Sequence, residues 1–71
     1  MVYSIEIITF INGKTIINCV KRDTVGVEYG YLFDFSSIEE AERTMRHKWE
    51  IQGNIRLVKN GIYIGVLNGS L

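Results

Sequence analysis

The sequence predicts an α+β domain, an antiparallel sheet of about five strands with one helix packed across one face. Three observations predict it. Asn12-Gly13 and Asn60-Gly61 each separate two runs rich in β-branched and aromatic residues. Asn-Gly is a strong hairpin signal, because a type I′ turn needs φ > 0 at both central residues. A third apolar run, Val25–Phe35, alternates strictly between two sets of side chains, and the stretch after it changes to helical spacing.

The first Asn-Gly joins Tyr3–Ile11 to Lys14–Arg22. A two-residue loop sets Ile11 opposite Lys14, which fixes the register of the whole pair. Ile5, Ile7, Ile11, Ile16 and Val20 then share one face, with Asn18 opposite Ile7. Glu6, Ile8, Phe10, Thr15, Ile17 and Cys19 share the other. A slip of one residue inverts the pairing of these sets, so the assignment is a strong commitment.

In the third strand Val25, Val27, Tyr29, Tyr31, Phe33 and Phe35 point one way, and this aromatic side is expected in the core. Gly26, Glu28, Gly30, Leu32 and Asp34 point the other way. Glycines at such positions leave room for a group to lie close to the backbone, or mark a bulge.

Ser37-Ile38-Glu39-Glu40 is a capping box: the Ser37 hydroxyl accepts from the Glu40 amide while the Glu40 carboxylate reaches back to the Ser37 N–H. The helix is expected to run to about Glu50 or Gln52 and to end with Gly53 in the left-handed conformation. Its apolar stripe is Ile38, Ala41, Met45 and Trp49. Acids crowd its start and bases its end, which complements the helix dipole. The second hairpin pairs Asn54–Lys59 with Ile62–Leu67. Ile55, Leu57, Ile62, Ile64 and Val66 are expected on one face, and Arg56, Val58, Tyr63, Gly65 and Leu67 on the other.

The order β-β-β-α-β-β also fits a small, partly open barrel with the element order of an OB-fold, a resemblance of topology alone. Seventy-one residues make one domain, spanning 1–71. A chain this short buries about 60 % of its unfolded surface and is marginal in stability. The lone Cys19 forms no internal disulfide. The apolar start, Val2–Ile11, contains Glu6 and lacks a basic leader, and it is too short to span a membrane. A cytoplasmic protein is the expectation, which also suits a free thiol.

Chemistry is sparse. His47 sits among Arg43, Arg46 and Glu50, and Cys19 is expected across from Glu6, whose charge disfavours the thiolate. Gly-rich phosphate loops, HExxH and CxxC are all missing from the sequence. One His and one Cys on different elements do not close a metal site. The expectation is a non-enzyme with no metal and no cofactor, a small enzyme being the remote alternative.

The eight basic and eight acidic side chains cancel, yet they are segregated. Residues 1–42 hold Lys14, Lys21 and Arg22 against seven acids, a balance of −4; residues 43–71 hold five bases against Glu50, a balance of +4. Arg43, Arg46, Arg56 and Lys59 therefore define an alternative, OB-like reading as a binder of single-stranded nucleic acid. The leading reading rests on a surplus of apolar side chains. One helix does not cover both faces of the sheet, and uncovered apolar patches mark interfaces. Ile8, Phe10 and Ile17, extended by Val58 and Tyr63, are the expected protein-binding residues. The partner is another protein or a second copy, as befits a homodimer, inhibitor, adaptor or other small accessory protein.

Overall fold

The computed structural model describes Met1–Gly69. Among these residues five strands and one helix form: β1 (Val2–Thr9), β2 (Thr15–Arg22), β3 (Glu28–Leu32), α1 (Ile38–Lys48), β4 (Ile55–Lys59) and β5 (Ile62–Leu67). The strands form one sheet in the order β3-β2-β1-β4-β5. β1 and β4 run parallel, and the other neighbours are antiparallel. The sheet is open, with β3 and β5 as its edges, so the α+β layered arrangement holds and the barrel does not.

The first hairpin departs from expectation by one residue. Its loop has three residues: Phe10 N–H donates to Lys14 O at 2.8 Å, and Gly13 N–H donates to Phe10 O at 2.9 Å. Gly13 alone of the Asn-Gly pair takes the left-handed conformation, at φ 88°. Asn12 instead uses its side chain, its Oδ1 accepting from Lys14 N–H at 3.0 Å. This is the type I turn with a following left-handed glycine that three-residue hairpins favour. Ile5 therefore faces Cys19, and Ile7 faces Ile17. Ile17 and Cys19 turn into the core, while Ile16, Asn18 and Val20 join Glu6 and Ile8 on the outer face. Cys19 does not oppose Glu6, and Ile17 does not share a face with Ile8.

The third strand is shorter than its alternation suggests, and it is turned over. Asp23 Oδ1 accepts from the N–H groups of Val25 (3.0 Å) and Val27 (2.8 Å), and Asp23 N–H donates to Val27 O. These bonds curl residues 23–27 into a tight loop, and both valines are exposed. Val20 pairs with Tyr31, Cys19 with Leu32 and Lys21 with Gly30, so Leu32 and Gly30 face the helix while Tyr31 faces away from it. Gly30 has a packing reason to face inward. A Cβ there would stand 3.0 Å from Trp49 Cζ2 and 2.9 Å from Lys21 Cε. Trp49 occupies that space, with Lys21 Nζ 5.0 Å from its ring centre and Tyr3 6.5 Å away, centroid to centroid. Beyond β3, Asp34 at φ 61° reverses the alternation and sends Phe35 to the core as expected.

In α1 the Ser37 hydroxyl accepts from Glu40 N–H at 3.1 Å. The Glu40 carboxylate instead accepts from the Ser36 hydroxyl at 2.6 Å, so the return half of the capping box is not made. The helix ends at Trp49 rather than near Gly53. Glu50 takes the left-handed position at φ 51°, and Ile51 N–H donates to Arg46 O at 3.0 Å, a Schellman closure. Ile51 then tucks into the core beside Met45. A non-glycine residue in this conformation is strained, and a carboxylate at a helix C-terminus opposes the dipole. Glu50→Gly is therefore expected to raise stability by about 0.5–1 kcal/mol after the entropy of the freer unfolded chain is counted. A higher urea midpoint with an unchanged slope is the expected result.

The second turn is the expected type I′, with Asn60 at φ 48° and Gly61 at φ 82°. Lys59 faces Ile62 and Val58 faces Tyr63, but Leu57 faces Gly65, which leaves Ile64 as a bulge. Past the bulge the faces exchange, so Leu67 joins Ile55 on the helix side and Val66 moves to the outer face. The core thus lies between α1 and the inner face: Ile5, Cys19, Ala41, Met45, Ile51 and Ile55, ringed by residues such as Ile17, Leu32, Leu57 and Leu67.

Candidate protein-docking face

Alternation along β1 and β2 puts Val2, Ser4, Glu6 and Ile8 with Ile16, Asn18, Val20 and Arg22 on the side away from the helix. β3 adds Tyr31, and β4 and β5 add Arg56, Val58, Tyr63 and Val66. No helix or strand among the described residues covers this side. Its centre is nevertheless shielded, because Arg22 reaches along the sheet to Glu6.

That reach builds a charged bridge across the face. Arg22 Nη1 donates to Glu6 Oε2 at 3.0 Å, and its Nη2 donates to Glu28 Oε1 at 3.3 Å. Ser4 and Val20 lie paired between the two ends of the first contact, and both are buried. Asn18 is buried too: its Nδ2 donates to the Tyr31 hydroxyl at 3.1 Å, and its Oδ1 accepts from Asp34 N–H at 3.2 Å. Asn18 thereby ties β2 to the turn that launches the helix. The middle of the face is polar and satisfied.

Apolar side chains flank this bridge on both sides. On one flank Tyr31 stacks against Phe33, centroids 4.5 Å apart, and Phe33 is 71 % exposed. On the other, Val58 pairs with Tyr63, which is 60 % exposed, and Ile8 lies two residues along β1 from Val58's neighbour Glu6. Phe10, one residue past β1 and 47 % exposed, continues the alternation from Ile8 at the hairpin's corner. A shallow groove of about 430 Å³ runs beside the bridge and is lined by Glu6, Arg22, Asp23, Arg56, Val58 and Tyr63, among others.

Of the expected docking residues, Ile8, Phe10, Val58 and Tyr63 therefore belong to the uncovered side, and Ile17 does not, being packed against the core. Tyr31 and Phe33, expected in the core, join the uncovered side instead, and so does Val66. The signal that locates the aromatics is Gly30. A helix stripe ending in a tryptophan needs a flat partner, and the glycine side of β3 supplies it.

The basic residues do not converge. Arg43 stands on the exposed side of α1, Arg56 on the uncovered sheet face, and Lys59 on the helix side in register with Ile7. Arg46 is committed to structure. Its Nε donates to Glu42 Oε2 at 2.9 Å, and its Nη atoms reach the carbonyls of Gly53 (2.8 Å) and Asn68 (3.2 Å), with longer contacts to those of Ile51 and Leu67. Cys19 Sγ points at Ala41 O, 3.6 Å away, and burial pushes its thiol up to about 11. At neutral pH it is a protonated thiol inside the core, not a nucleophile. His47 is exposed on the helix. No group of three His, Cys, Asp or Glu side chains among the described residues is placed to hold a metal ion. No helix among them is long and apolar enough to cross a membrane.

The chain matches no protein-family model, no curated protein and no solved structure.

Proposed function

We propose that this chain is a small, non-catalytic protein-binding module that docks on a larger protein, as an inhibitor or adaptor, through its uncovered sheet face. The observation that carries the reading is the aromatic and aliphatic exposure flanking the Glu6–Arg22–Glu28 bridge. Apolar residues around a polar, satisfied centre suit a protein interface: the flanks supply buried area, and the fixed charges discriminate among partners. A nucleic-acid reading loses support from the scattered cations, and from Arg46, whose donors are already used. The free, buried Cys19 suits a reducing cytoplasmic setting.

Phe10→Asp tests the reading. Phe10 is half-exposed and outside the core, so the variant keeps the wild-type circular dichroism and melting behaviour. Its association with the protein that co-purifies with the wild type falls by more than about 30-fold, the loss typical of a truncated interface anchor. A folded Phe10→Asp variant that retains its partner contradicts the assignment.

A further inference from the structure

The first hairpin outreaches its neighbours. β4 pairs with β1 only as far as Ile7, beyond which Thr9 N–H donates to Asn60 Oδ1. β3 pairs with β2 from Cys19 to Arg22, and Phe35 N–H donates to Ile17 O. Among the described residues, 10–16 therefore bond only within the hairpin and stand clear of the sheet as a finger. At its apex Ile11 is fully exposed. A single exposed aliphatic side chain needs no explanation by itself. This one is held in place, because three hydrogen bonds among Phe10, Asn12, Gly13 and Lys14 fix the loop that carries it. Phe10 and the Ile8–Ile16 pair form a collar below it on the side that continues the uncovered face. The Thr9 and Thr15 hydroxyls, 3.2 Å apart, lie on the other side. Lys14, exposed beside the apex, is the one charged residue of the loop and makes no ion pair among the described residues.

We infer that this finger leads the docking surface into a concave apolar pocket with an acidic rim on a larger protein: Ile11 fills the pocket and Lys14 pairs with the rim. The inference rests on the docking reading and adds the chemistry of the partner. Shape selects the pocket. A side chain at the apex of a convex turn is touched on one side by a flat surface and on all sides only by a cavity. Rigidity favours insertion, since a loop already fixed by its own hydrogen bonds loses little freedom on binding. Charge selects the rim, because an unpaired ammonium beside the apex steers the finger toward acid and away from base. A second copy does not fit this description. Each of three grooves on the described surface has an arginine in its lining: Arg22 and Arg56 in the first, Arg43 in the second and Arg56 in the third. Such grooves repel Lys14 and offer Ile11 no apolar seat.

A size series at position 11, titrated against the protein that co-purifies with the wild type, tests the inference. Ile11 is fully exposed, so each variant is expected to keep the wild-type circular dichroism and melting behaviour. Ile11→Val, one methylene smaller, weakens binding about fourfold, and Ile11→Ala weakens it at least about 30-fold. Ile11→Trp overfills the pocket and loses at least about tenfold. Lys14→Glu loses at least about fivefold, mainly through slower association. Wild-type affinity in Ile11→Trp would mean a flat contact, and wild-type affinity in Lys14→Glu would remove the acidic rim; either result overturns the inference. A partner lost by Phe10→Asp but kept by every Ile11 variant overturns the finger and leaves the docking face standing. A partner kept by Phe10→Asp but lost by Ile11→Ala overturns the face and leaves the finger.

Discussion

Met45→Ala is expected to remove about half of the free energy that holds the chain folded. Met45 is fully buried on the helix stripe, among Ile5, Ala41, Ile51 and Ile55, and it fills the gap between α1 and the inner face of the sheet. Truncating a buried methionine costs about 2–5 kcal/mol, made of lost transfer energy and a cavity that relaxes incompletely. A domain of this length has a total stability of about 4–10 kcal/mol. One such cavity therefore removes a large fraction of the whole. Met45→Leu conserves volume and is expected to cost less than about 1.5 kcal/mol. Urea unfolding followed by the fluorescence of Trp49 separates the two. Equal midpoints for Met45→Ala and wild type would mean that the helix does not seat where the core requires it.

Arg46→Ala carries the second large effect, expected at about 2–3 kcal/mol from hydrogen bonds to a charged group. The guanidinium joins three parts of the fold: Glu42 one helical turn back, Gly53 in the lead to β4, and Asn68 beyond β5. These carbonyls follow a helix end and a strand end, where backbone groups lack ladder partners. Arg46→Lys is expected to recover less than half of the loss, since an ammonium does not present the planar fork that spans separated acceptors. Glu42→Gln, which removes one partly buried charge from an i,i+4 pair, is expected to cost about 0.5 kcal/mol. Should Arg46→Lys match wild type in thermal unfolding, the fork is not what joins these segments.

Arg46 also shows what a count of charges along the chain does not report. In sequence it is one of five bases in a +4 half. In space it is a clamp, because a long, forked donor at a helix C-terminus finds orphan carbonyls before it finds solvent. Element type and order were legible from local signals alone, such as the Ser37 cap and the helix stripe. The type I′ turn at Asn60-Gly61 was legible for the same reason, both residues taking φ > 0.

Facing was less legible, since it depends on single residues. Asn-Gly at 12–13 is compatible with two loop lengths, and the choice rests on whether Asn12 uses its backbone or its side chain. That choice moved Ile17 and Cys19 into the core and took Ile17 out of the docking set. The alternation in Val25–Phe35 identifies two sets of side chains but not which set faces the helix. Asp23, which bonds the amides of two residues expected in a strand, shortened β3 from a distance that alternation does not report. On β1, β4 and β5 these changes leave Ile8, Phe10, Val58 and Tyr63 on one shared, uncovered side of the sheet.

The most direct test of that face is a photo-crosslinking map in cells that produce the protein. A benzophenone side chain is placed singly at Tyr63, at Phe33 and, for comparison, at Arg43 on the exposed side of α1. One discrete protein adduct from positions 63 and 33, weak or missing from position 43 and lost when Phe10→Asp is added, is the expected result. Adducts that form from position 43 and not from 63 or 33 would place recognition on the helix and contradict the account.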